Sequence, residues 1–127
     1  MTPEEFTEGW SRASPFFAEA LLKAGDLWNL DEVRNEVIEG RAHFWSNATA
    51  FAVTNFVFSP RIKSLNYWLL GGEIEGLQIL HPHIVAWGIE NDCLVFTGEG
   101  RAGFKRYFPE YEANGVLYIK DYRKGAQ

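Results

Sequence analysis

Between Trp68 and Phe104 the chain runs Trp68-Leu-Leu-Gly-Gly72, then an apolar stretch to Trp87, then Cys93–Phe96, then Gly100-Arg101-Ala-Gly103-Phe104. This reads as strand, glycine turn, helix, strand, turn, helix. Two strands joined through a helix cannot form a hairpin; they pair in parallel through a right-handed crossover. Most folds available to a short chain are excluded by that one connection. It also brings a helix N-terminus to a Gly-Gly turn, where free backbone N–H groups and the positive end of the helix dipole form a natural anion pocket if the two strands diverge.

The rest of the chain fits a single domain over 1–127, and 127 residues suit one core. Ten Phe, five Trp and five Tyr supply large areas to bury. A net charge of −5 argues against a general nucleic-acid binder, which needs a concentrated basic face. The single cysteine, Cys93, excludes an intrachain disulfide and sits in the apolar run Cys93-Leu-Val-Phe96, as a small buried hydrophobe would. No apolar run is long enough to cross a bilayer, and the acidic start lacks the basic and apolar regions of a secretion signal. The expectation is a chain made in a cytoplasm and kept there or packaged from it, with no membrane partner.

Thr2-Pro3-Glu4-Glu5 combines a cap, a first-turn proline and a capping-box glutamate. Pro15 predicts a kink or two short helices before Gly25. Residues 1–28 thus read as an N-terminal helical arm on a core at 29–123. Asn29-Leu-Asp-Glu32 opens a second helix over about 30–39, with Gly40 as its C-terminal stop.

Strands are expected at Arg41–Trp45, Ala48–Phe58 and Ile62–Leu70, joined by short antiparallel connections. The helical spacing of Ile74, Leu77, Leu80, Ile84 and Trp87 predicts a helix over Glu73–Glu90, kinked or broken by Pro82 near Leu80–His81. Cys93–Thr97 is a fourth strand, Arg101–Phe108 a short helix and Val116–Tyr122 a last strand. The fold class is α/β (α+β): a mixed, mainly antiparallel sheet with helices on both faces.

Several residues invite chemical readings. Gly71 and Gly72 fit a backbone cradle for a phosphate or thioester carbonyl, or a strand-to-helix turn that needs close packing. Arg101 at a helix start fits a phosphate or a structural carboxylate. His81-Pro82-His83 resembles a metal pair, but a helical setting and the absence of a third nearby ligand argue for no metal site. Phe6, Trp10, Phe17 and Trp28 are more rings than a short arm needs; they either cover the sheet or dock on a partner subunit.

This order of elements resembles the GNAT N-acetyltransferase fold. Gly71-Gly72, Trp87, Asp92-Cys93, Gly100-Arg101 and Gly103-Phe104 are similar to small phage-encoded GNAT-like proteins, including the podophage internal virion proteins, over about residues 30–122. The resemblance implies an acetyl-CoA site at Gly71, Gly72 and Ile74, with Tyr107 as general acid and Glu73 as the nearest carboxylate for a base. The pyrophosphate loop of the enzymes carries a basic residue, whereas here Leu69-Leu-Gly-Gly-Glu-Ile-Glu-Gly76 places Glu73 and Glu75 where phosphates would sit. The resemblance therefore implies a phage protein without robust catalysis and without a cofactor. It would bind viral structural proteins, or form an oligomer, in the host cytoplasm or the virion. Two alternatives stand beside it: an acetyl-CoA-dependent N-acetyltransferase, and a phage inhibitor of a host protein.

Overall fold

A computed structural model describes residues 1–99, 112–114 and 117–122. The described residues form a mixed α+β fold of three helices and a six-stranded, mainly antiparallel sheet. The helices are α1 (Pro3–Lys23), α2 (Leu30–Ile38) and α3 (Ile74–Glu90). The strands are β1 (Ala42–Ser46), β2 (Ala50–Phe58), β3 (Lys63–Gly72), β4 (Val95–Glu99), β5 (Glu112–Asn114) and β6 (Leu117–Asp121), in the spatial order β1-β2-β3-β4-β6-β5.

Both expected capping boxes form. The Thr2 hydroxyl accepts from Glu5 N at 3.1 Å while Glu5 accepts from Thr2 N at 3.0 Å. Asn29 and Glu32 exchange the same pair of bonds at 2.8 Å each. Such reciprocal caps satisfy N–H groups that a helix start would otherwise leave open. At the far end of α2, Gly40 takes φ +80°, letting Arg41 N donate to Glu36 O at 2.8 Å and close the helix.

The prolines do not break their helices. α1 runs unbroken through Pro15 and α3 through Pro82. Both prolines lie on the solvent side, where water can serve the carbonyl left without a helical partner. In α1 the opposite stripe, Trp10, Ala13, Phe17, Ala20 and Leu21, is buried with α2's Val33 and with Ala42, Phe51, Val53 and Leu69 of the sheet. Burying two or three large side chains contributes about 1.5–3 kcal/mol each, enough to outweigh the roughly 3 kcal/mol cost of one proline. The N-terminal helix is thus part of the core, not an arm beside it.

The sheet separates two apolar layers. α1 and α2 cover one face. α3 covers the other, packing Leu77, Leu80 and Ile84 against Ala50, Ala52, Leu65, Tyr67 and Phe96. β3 and β4 pair in parallel, as the intervening helix requires, and the remaining neighbours are antiparallel. Several boundaries differ from expectation by one or a few residues, and three of them have a local cause. β2 begins two residues later, because Asn47 organises the turn: its Oδ1 accepts from Thr49 N at 3.0 Å and Ala50 N at 2.8 Å. β3 continues through both glycines, which pair with Phe51 and Ala50 of β2. β4 begins at Val95, because Cys93 N closes the end of α3 on Gly88 O at 2.9 Å. The three-residue β5 was not expected. The expected helix at Arg101–Phe108 lies outside the described residues.

Candidate functional site at the divergence of β3 and β4

The parallel ladder is short. It joins Ser64–Tyr67 to Val95–Gly98, after which β3 runs on to Gly72 beside β2 and β4 ends at Glu99 beside β6. Among the described residues, no strand pairs with β3 on that side beyond Tyr67. A bulge marks the same place. Val53 faces Leu69 and Thr54 faces Tyr67, so Trp68 has no partner on β2. The extra residue resets the alternation of the strand: Trp68 and Leu69 both pack on the α1 side, and Leu70 returns to the α3 side.

Tyr67 and His81 meet at this point. The buried phenol of β3 lies 2.5 Å from Nδ1 of the half-buried His81 on α3. His83, two residues on, faces solvent, as the 100° step of a helix dictates. The two histidines therefore point apart. Among the described residues, no three His, Cys, Asp or Glu side chains gather into a metal site.

The glycines at the start of α3 are packed by the chain itself. A Cβ on Gly71 would lie 2.5 Å from Cβ of Phe16. On Gly72, whose φ is +98°, it would lie 2.2 Å from the carbonyl oxygen of Thr49, and on Gly76 2.3 Å from the Thr49 hydroxyl. Glu73 N donates to Thr49 O at 2.9 Å, and Asn47 Nδ2 donates to Gly76 O at 3.0 Å. The β1–β2 turn thus fills the space beneath the helix start. Glu73 occupies the cap position of α3 without a side-chain cap bond; it and Glu75 are exposed, with Ile74 half-buried between them. Arg101 and Tyr107, the other expected cofactor and catalytic residues, lie outside the described residues.

The four aromatic docking candidates separate. Trp10 and Phe17 are buried, which removes them from any docking surface: both belong to the layer between α1 and the sheet. Phe6 is half-buried and packs edge-on against Phe44. Trp28 stays exposed and meets Trp68 edge-on at 5.0 Å, beside the bulge. Cys93 is fully buried, and burial pushes its thiol pKa up, away from the thiolate that a nucleophile needs.

A second polar group on the α3 face has no counterpart in the sequence reading. Thr54, fully buried on β2, receives the indole N–H of Trp45 at 3.0 Å and lies 3.2 Å from Nδ1 of His43. The His43 ring packs against Trp87 at 4.5 Å and Phe56 at 4.7 Å. Burial lowers the His43 pKa below the usual imidazole value; a hydrogen bond with the Thr54 backbone opposes the shift and nearby Lys63 adds to it. The only sequence cue was a histidine two residues from a tryptophan in a short strand, which any edge strand can contain.

No family model matches the sequence, and no curated protein matches it at a significant level. Within the described residues, no helix is long and apolar enough to cross a membrane.

Proposed function

We propose that this chain is a phage GNAT-like protein that works by binding other proteins, in virion assembly or as a virion component, without robust acetyl transfer. The observation that carries this reading is the filled helix start. Gly71, Gly72 and Gly76 accommodate Phe16 and Thr49. Among the described residues, the first turn of α3 itself carries the exposed carboxylates Glu73 and Glu75. Carboxylates complement a helix dipole by themselves and repel a pyrophosphate at close range.

The test is thermal unfolding with acetyl-CoA, paired with fractionation of intact particles. A ligand at one hundred times its dissociation constant stabilises a protein by about 2.7 kcal/mol. An unchanged melting temperature together with co-purification in particles is the expected result. A clear rise in melting temperature would overturn the binding-only reading.

One observation favours the acetyltransferase alternative: the Tyr67–His81 hydrogen bond at the place where β3 and β4 part. A phenol held by an imidazole is placed to protonate a leaving thiolate, and an imidazolium at His81 would return a proton to the phenolate and be left neutral. Release of free thiol from acetyl-CoA in the presence of amine acceptors, lost in Tyr67→Phe, would support that alternative.

A further inference from the structure

We propose that His43 is an acid-sensitive latch that holds the C-terminal half of α3 on the sheet, and that protonating it frees Trp87 from the aromatic face beneath. The geometry around Thr54 sets the resting state. An indole N–H only donates, so the Thr54 oxygen is an acceptor toward Trp45. The Thr54 hydroxyl is fully buried and needs an acceptor for its own proton, and Nδ1 of His43 at 3.2 Å provides it. His43 therefore rests as a neutral imidazole with its hydrogen on Nε2.

A proton added at Nδ1 turns that acceptor into a donor. The Thr54 oxygen then faces two donors, and its own hydrogen is stranded in the interior. One contact favours the new charge, a hydrogen bond with the Thr54 backbone; burial and a like charge oppose it. β1 contributes Trp45, β2 contributes Thr54 and Phe56, and α3 contributes Trp87, none of which titrates in the acid range. The charged neighbour is Lys63 of β3, of the same sign, with Nζ 4.0 Å from the Phe56 ring centre. His83 and Glu90 of α3 are exposed to solvent.

The latch acts on an element already weakened. Pro82 donates no N–H to the carbonyl of Gln78, so α3 has one missing rung just before its last two turns. Beyond that rung, Trp87 stacks on Phe56 at 13° and meets Trp45 and His43 edge-on. Swinging a charged His43 into water removes one wall of this cluster, and the hinge at Pro82 lets the last two turns follow.

The test is NMR of the intact chain from pH 7.5 to 4.5. The expected results are an Nε2–H tautomer at neutral pH and a His43 midpoint below the unperturbed 6.5. Amide exchange over 83–90, corrected for its intrinsic rate, should report opening that grows about tenfold per pH unit between 6.5 and that midpoint. The indole N–H of Trp87 should shift in step while far-UV circular dichroism holds. His43→Gln should remove the pH dependence; should that variant fail to fold, the tautomer and midpoint of the native protein decide alone. An Nδ1–H tautomer, a midpoint at or above 6.5, loss of far-UV signal in step with Trp87, or opening that persists in a folded His43→Gln would each overturn the proposal.

Discussion

Gly71 and Phe16 are in contact through the position where a side chain at 71 would begin: an added Cβ would sit 2.5 Å from the Phe16 Cβ. Phe16 Cβ is fixed to the α1 backbone, so a larger residue at 71 must push the helix off the sheet. Gly71→Ala is expected to cost about 1–3 kcal/mol in urea unfolding. Gly72→Ala should cost more, because its φ is +98° and the obstructing atoms are the backbone of Thr49 and Ala50. Glycines that served a ligand instead of packing would leave stability nearly unchanged on substitution.

Thr54→Val keeps the volume of the buried side chain and deletes its oxygen. The indole of Trp45 loses its acceptor and His43 loses its partner. Both rings are half-buried, which limits their access to water. The expected loss is about 1–3 kcal/mol, read from the denaturant midpoint at constant slope.

Pro15→Ala should stabilise the protein. Pro15 is exposed inside a continuous α1, and alanine restores a donor to the carbonyl of Ser11 without touching the buried stripe. The upper bound is the roughly 3 kcal/mol separating the two residues in a helix interior. A higher melting temperature is the expected outcome, and an unchanged or lower one would mean that Pro15 aids packing or stiffens the unfolded chain.

Cys93 should react slowly with thiol reagents at neutral pH. Its side chain is fully buried, and burial raises its pKa, so both access and thiolate fraction are low. Labelling should follow the opening of the structure and accelerate to the rate of a free thiol only in denaturant. Rapid labelling of the native protein would count against the packed position between α3 and β4.

Local signals were the legible ones. Thr2-Glu5 and Asn29-Glu32 cap their helices as read, because a capping box is complete within four residues. Strand, helix and strand between Lys63 and Glu99 forced the parallel pairing that the sheet contains. Neither proline breaks its helix, because propensity at Pro15 and Pro82 is overridden by the stripes packed on the opposite side of each helix. The glycines do serve a strand-to-helix turn, with Gly72 at φ +98° before α3 and Gly71 packed on Phe16; nothing in their sequence announces Ala50 and Phe51 as strand partners. Tyr67 with His81, and His43 with Thr54, stand 14 and 11 residues apart on different elements, so only the tertiary pairing brings them together.

The shortness of the parallel ladder bears on the order in which the molecule assembles. Residues up to Gly72 contain α1, α2 and the three antiparallel strands, whose pairings span short connections. β4 joins only after the seventeen residues of α3 have been made, and it attaches to β3 through four residue pairs. The residues of α1, α2 and the first three strands are thus made first, and until α3 follows Tyr67 and the apolar floor beneath that helix lack their cover. That interval is when the chain is most exposed to misassociation, and when a chaperone or an assembly partner would find its widest foothold.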